Sequence, residues 1–141
     1  MRQTRSSDSP TVAVLGYAGD RGGNGLAYAR LRLASKERLL RLPFRMTRTA
    51  SSSDRAIDYA ALTAVARALH ERGHRKVRFV LGDEQFVEEI ATRREIPETL
   101  VLPYVRLRCA LNALKSFSVQ TGATDELTQR ARAEVALNLA A

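Results

Sequence analysis

Asp58 and Asp83 each stand where a helix is expected to begin, the second in a Gly82-Asp83 corner that follows the short β-rich run Val77–Leu81. A carboxylate in a helix's first turn is stabilised by a fraction of a kcal/mol, about 0.3–1, by the positive end of the helix dipole. Cys109 is the single cysteine, so it forms no internal disulfide. Leu107, Ala110 and Leu111 surround it in a helical pattern, which predicts a buried, inert thiol. His70 and His74 have no second metal-type ligand at zinc spacing and read as decoration of a helix end. The remaining chemistry is cationic. Lys and Arg number 23 against 15 Asp and Glu, a net charge of +8 that favours phosphate-rich partners.

Those residues need elements to hold them. Thr11–Leu15 is a short apolar run stopped by Gly16, the pattern of a buried strand. A glycine-rich turn follows, then Leu26–Leu33 alternates: Ala27, Ala29, Leu31 and Leu33 lie on one face, Leu26, Tyr28, Arg30 and Arg32 on the other, predicting a half-exposed strand. After a polar turn at Ser35-Lys36-Glu37, Leu40, Leu42, Phe44 and Met46 alternate with outward Arg41 and Arg45, and Pro43 places this strand at a sheet edge. The first three strands should form an antiparallel meander.

The serine-rich Ala50–Asp54 offers an N-cap to a helix with the stripe Ile57, Ala61, Leu62, Val65, Ala66 and Leu69, ended by Gly73. A strand at Val77–Leu81 leads into a helix carrying Phe86, Val87 and Ile90. Beyond Pro97, Leu100, Tyr104, Leu107, Leu111 and Leu114 mark another helix, with Pro103 tolerable only in its first turn. Phe117–Gln120 is a last short strand, and Leu127, Ala131, Val135 and Leu139 define a closing amphipathic helix.

A chain of 141 residues, 45% hydrophobic and 27% charged, builds one core and excludes a multidomain enzyme, a disordered chain or a coiled coil. We expect a flexible tail over 1–10 and one domain over 11–141, soluble and cytoplasmic, with no membrane segment and no signal peptide. Arg30, Arg32, Arg41 and Arg45 share one sheet face, where like charges repel unless anions intervene. That face binds phosphate, or a helix or partner covers it with Glu residues, or its arginines are simply solvated charges in place of lysine. His70, Arg72, His74, Arg75, Lys76 and Arg78 form a second basic group, as expected at a helix C-terminus. Aromatic residues are only 6%, with no Trp, which disfavours single-strand stacking platforms and favours a duplex read by shape and backbone.

The element order, with acids at two helix starts, resembles a type I ribonuclease H domain from Thr11 to Ala141. Tyr17-Ala18-Gly19-Asp20-Arg21-Gly22-Gly23-Asn24-Gly25 is similar to that family's D-G-x-x-x-G-N-P-G turn. Ile57-Asp58-Tyr59-Ala60-Ala61-Leu62 is similar to its A-E-Y-x-A-L helix start, and Gly82-Asp83-Glu84-Gln85-Phe86-Val87 to its S-D-S-Q-x-V corner. The last helix, with Gln129, is similar to its N-x-x-A-D-x-L-A segment. The resemblance implies an α/β fold: a mixed five-stranded sheet, made of the antiparallel three-strand meander plus two further strands, flanked by helices.

The resemblance also implies four carboxylates holding two Mg or Mn ions for cleavage of the RNA strand of an RNA/DNA hybrid. Asp58 and Asp83 keep two of these positions. Tyr17, or Gly16 if the turn is gapped, stands at the first, and neutral Gln129 at the last. Asp20 and Asp125 are the candidate substitute ligands, but one is a loop residue and the other lies a helical turn from Gln129; Glu126 and Glu134 are likewise off position. No His stands in Thr121-Gly122-Ala123-Thr124.

Expected nucleic-acid contacts are Arg21, Asn24, Arg93, Arg94 and Lys115, with Arg30, Arg32, Arg41 and Arg45 if their face is open. Three functions follow. The leading one is a pseudoenzyme, weak or inactive in catalysis, that binds an RNA/DNA hybrid or other RNA-containing duplex, with Mg or Mn only if it is active. The alternatives are an active two-metal ribonuclease and a homodimeric interaction scaffold on the same fold.

Overall fold

β-Branched and small residues alternate through Thr11–Gly19 (β1), whose odd positions enter the main core: Ala13 and Leu15 are fully buried there. β1 turns into β2 (Asn24–Leu33), which turns at Ala34-Ser35 into β3 (Lys36–Arg45). The polar turn expected at Ser35-Lys36-Glu37 thus sits one residue earlier, since Lys36 already pairs with Leu33. The first turn needs glycine: Gly23 has φ +90°, and a Cβ there would stand 2.3 Å from the carbonyl oxygen of Met46. The computed structural model describes residues 9–46, 54–92 and 96–140. The tail at 1–8, Ala50 and the serines 51–53, Arg93 and Arg94, and the side chain of Leu139 lie outside the described residues.

The chain continues through α1 (Arg55–Glu71), β4 (Lys76–Leu81), α2 (Glu84–Thr92), a 3₁₀ turn at Glu98–Leu100, α3 (Val101–Asn112), β5 (Ser116–Thr121) and α4 (Asp125–Ala140). Pro103 falls in the first turn of α3, where its missing amide removes no helical bond. The sheet order is β3-β2-β1-β4-β5. β1 and β2, and β2 and β3, pair antiparallel, while β4 runs parallel to both β1 and β5. This is the mixed sheet expected, and Pro43 sits on an edge strand.

α1, α2 and α3 cover one face. Tyr59, Leu62, Val65, Leu69, Phe79, Phe86, Leu107 and Leu111 are wholly buried beneath them. Tyr59 meets Phe86 edge to face, with ring centroids 5.0 Å apart. Among the described residues, α4 covers the other face, where Leu127 and Ala131 pack on Leu26 and Tyr28. β2 is therefore not half-exposed as its alternation suggests: Leu26 and Tyr28 are each only 3% exposed, because a helix closes the face that the strand pattern leaves polar. Cys109 also departs from expectation. It is exposed, on the face of α3 opposite Leu107 and Leu111. Among the described residues, no helix is long and apolar enough to cross a membrane.

Two predictions follow from this packing. Gly16 meets α4 so closely that a Cβ would lie 2.3 Å from the amide nitrogen of Thr128. Gly16→Ala should therefore lower stability by about 2–3 kcal/mol in urea denaturation, through displacement of α4. The second concerns His74, whose Nδ1 lies 2.9 Å from the Thr11 hydroxyl. Burial, and then the charges of Arg72 and Arg38, hold its ring below the ordinary 6.5. The unfolded chain thus binds the proton first. Stability should fall as pH drops below about 6.5, and His74→Gln should flatten that slope in melts from about pH 7.5 to about 5.

Candidate active-site carboxylate cluster

Tyr17, Asp58 and Asp83 come from three elements and meet at one end of the sheet. Tyr17 is near the end of β1, Asp58 is in the first turn of α1, and Asp83 follows β4 immediately before α2. The register explains the choice between Gly16 and Tyr17. Successive strand residues face opposite sides, so Gly16 faces α4 while Tyr17 packs against the α1 side of the core. Of the two positions the resemblance offers, Tyr17 is the one on the Asp58 side of the sheet.

The Tyr17 hydroxyl donates to Asp58 Oδ1 at 2.6 Å. Arg55 Nη1 donates to Asp58 Oδ2 and to Asp83 Oδ2, each at 2.8 Å. Asp83 Oδ1 accepts from the Phe86 amide at 3.1 Å and so caps α2. All four aspartate oxygens thus accept a hydrogen bond from the protein. Arg55 is held further by Glu89, whose Oε2 lies 3.3 Å from its Nε, and by the Phe86 ring, 5.2 Å from the guanidinium carbon. The side chains of Arg55 and Asp58 are 21% and 16% exposed, and that of Asp83 is 41%.

These contacts set the ionisation. Burial, and then the neighbouring Asp58 charge, push the Tyr17 phenol far above its ordinary range. Burial raises Asp58 as well, against the lowering effect of Tyr17 and Arg55. Asp83 is more open. Burial opposes its ionisation, but the hydrogen bonds from Arg55 and the Phe86 amide outweigh it and hold the carboxyl below its ordinary value. Arg55 is raised: burial works against its charge, and Asp83, Asp58 and Glu89 more than offset that.

Arg55 and Glu89 are the members that inspection of the sequence passes over. The signal for Arg55 is its spacing, three residues before Asp58 and hence on the same helix face. Glu89 carries no comparable local signal. Gln129 is exposed on α4, and no hydrogen bond among the described residues joins it to Tyr17, Asp58 or Asp83. The substitute acids stay apart. Asp20 Oδ1 accepts from the Asn24 amide within the β1–β2 turn, and Asp125 is exposed at the start of α4.

The basic residues divide as well. Arg30 pairs with Glu126 at 2.8 Å, and Arg41 with Glu134 at 2.6 Å. The Tyr28 hydroxyl also donates to Glu134, and Arg130 lies over the Tyr28 ring. Arg30 and Arg41 thus dock α4 and do not form an open anion-binding face. Arg32 faces Glu37 at 3.7 Å. Arg21, Asn24 and Arg45 are exposed at the same end of the sheet as Tyr17. Lys115 precedes β5, whose first residue pairs with the first residue of β4, so it stands a strand's length, about 17 Å, from the Asp83 end.

No protein-family model matches the sequence, and no curated protein sequence does. Solved structures match closely in shape. RNase H1 of Halobacterium salinarum NRC-1 aligns with TM-score 0.71 and 15% identity, over 92% of this chain and 99% of that one. The N-terminal RNase H domain of a Mycobacterium tuberculosis protein gives 0.69 and 13%, over 92% and 98%. LC11 RNase H1, solved in complex with an RNA/DNA hybrid, gives 0.62 and 15%, over 89% and 99%.

The chain has the ribonuclease H fold. At such identities the likeness is one of fold, and the site of this ribonuclease H-like chain must be judged on its own residues. Two divalent ions require several carboxylate oxygens free to coordinate. Here both aspartates are committed to protein donors, and among the described residues no group of three or more His, Cys, Asp or Glu is arranged to hold a metal ion. The residues present do not fit a two-metal centre.

Tyr17→Phe tests the cluster. It removes a hydrogen bond to a largely buried carboxylate, and should cost about 1.5–3 kcal/mol of stability by urea denaturation without disturbing the fold seen by circular dichroism.

Proposed function

We propose that this ribonuclease H-like domain binds an RNA-containing duplex through its phosphate backbone and does not cleave it by metal-dependent hydrolysis. The observation that carries this reading is the Arg55 guanidinium seated on Asp58 and Asp83 at 2.8 Å. Hydrolysis of this kind needs those oxygens on divalent ions that activate water and stabilise the leaving oxygen. With their lone pairs directed at an arginine, a tyrosine hydroxyl and a backbone amide, the aspartates serve instead to hold β1, α1 and α2 together at the open end of the sheet.

Binding is supported by the net charge of +8 and by Arg21 and Arg45, exposed at the same end of the sheet as the cluster. Arg93 and Arg94, directly after α2, complete the proposed contact set, while Arg30 and Arg41 are excluded by their pairing with α4. Phosphate contacts of this kind give affinity and orientation without sequence readout.

Titration of an RNA/DNA hybrid at rising salt tests both halves. With about four phosphate contacts, affinity should fall about 100-fold between 50 and 200 mM salt, and Arg21→Glu with Arg45→Glu should reduce the slope by about two. The RNA strand should stay intact in Mg²⁺ or Mn²⁺. Salt-independent affinity would remove the binding proposal. Cleavage that is lost in Asp83→Asn would restore the active-ribonuclease alternative.

A further inference from the structure

The cluster contains its own cation. Arg55 Nη1 is equidistant, at 2.8 Å, from one oxygen of Asp58 and one of Asp83, and Glu89 Oε2 approaches Nε at 3.3 Å. That Glu89 oxygen is buried without a hydrogen-bond partner among the described residues, and the Arg55 guanidinium is the cation it pairs with. An ion placed at Nη1 would need each aspartate oxygen to move by only about 0.7 Å to reach the Mg–O distance of about 2.1 Å. Mg²⁺ and Mn²⁺ are commonly held by one or two carboxylates plus water, so the geometry between these two side chains suits a single divalent ion once the arginine is gone.

We infer that Arg55 is the resident cation of this centre: its guanidinium occupies the place a divalent ion would take between Asp58 and Asp83, closes the wild-type centre to such ions, and leaves a latent divalent-cation site when its charge is removed. The physical reason is substitution of one counter-ion by another. Two aspartates and Glu89 converge where burial makes uncompensated negative charge costly, so some cation must be present for the fold to hold them together. An arginine three residues before Asp58 on the same helix supplies it covalently, with a planar guanidinium that reaches separate carboxylates. A divalent ion would have to displace that fork and then share the site with a fixed positive charge. This inference deepens the proposed function at the same centre.

The test uses the protein without nucleic acid, so that its failure is separate from a failed hybrid titration. Mn²⁺ is titrated into wild-type protein, Arg55→Ala and Arg55→Lys, with binding read by electron paramagnetic resonance and stability by thermal melting. Arg55→Ala should bind one Mn²⁺ on the order of tenfold or more tighter than wild type. Its melting temperature should rise by about 3–5 °C at a Mn²⁺ concentration ten times Kd. Wild type and Arg55→Lys, which both keep a cation in place, should show neither response. Adding Asp83→Asn to Arg55→Ala should abolish the binding.

If Arg55→Ala does not fold in metal-free buffer, Arg55→Gln carries the same comparison, since it keeps donors and bulk but no charge. No Mn²⁺ response in either neutral variant would overturn the inference. So would binding by Arg55→Lys, by wild type with equal affinity, or by the variant that lacks Asp83.

Discussion

Successive residues of a strand face opposite sides of the sheet, and β1 lies at the centre with helices on both sides. This alternation ties the two halves of the molecule together. Gly16 lets the backbone of α4 come within contact distance of the strand, and its neighbour Tyr17 reaches the other side to bond Asp58. A side chain at 16 would displace α4, while a shift of register by one residue would turn the tyrosine toward α4 and leave Asp58 without its donor. The close helix on one face and the hydroxyl on the other are consequences of a single pleat.

A second constraint is electrostatic. The C-terminal ends of β1 and β4 and the N-termini of α1 and α2 converge, and Asp58 and Asp83 meet there. Charge in a partly buried place has to be balanced locally. The chain balances it with Arg55 on the same helix as Asp58, and an aromatic ring beneath the guanidinium steadies it. The two aspartates respond in opposite directions. The more buried Asp58 has its ionisation disfavoured, while the open Asp83, bonded to Arg55 and to the α2 amide, has its ionisation favoured. One counter-ion therefore acts unequally on its partners because their solvation differs.

On the opposite face, basic charge finds an internal use. Arg30 and Arg41 of the meander meet Glu126 and Glu134 of α4, so two arginines that look like ligand-binding residues are part of how the last helix sits. Exposed pairs of this kind contribute little each, about 0–1 kcal/mol, and their main effect is to orient α4 over the apolar contact of Leu127 and Ala131 with Leu26 and Tyr28. Arg21 and Arg45, for which no pairing with α4 is seen among the described residues, are exposed at the end of the sheet that carries Tyr17.

Much of the architecture was legible along the chain. Alternation at period two marked the meander, Pro43 marked its edge, and apolar spacing of three and four residues marked the helices, because these patterns are local consequences of which face is buried. The positions of Tyr17, Asp58 and Asp83 were legible too, since each sits at a strand end or a helix start. Cys109, Leu26 and Tyr28 were misjudged from local pattern, because the helix that covers a face, or leaves it open, is distant in sequence.

Periodicity and the placement of proline were enough to give the elements and the sheet's edge. What Asp58 and Asp83 do was settled by long-range packing. Arg55 and Asp58 are three residues apart, but Asp83 and Glu89 reach the same guanidinium from across a strand and another helix. Charges separated that far along the chain interact only after folding has brought them within a few ångströms and removed the water between them, so no pattern of types and spacing could announce the pairing.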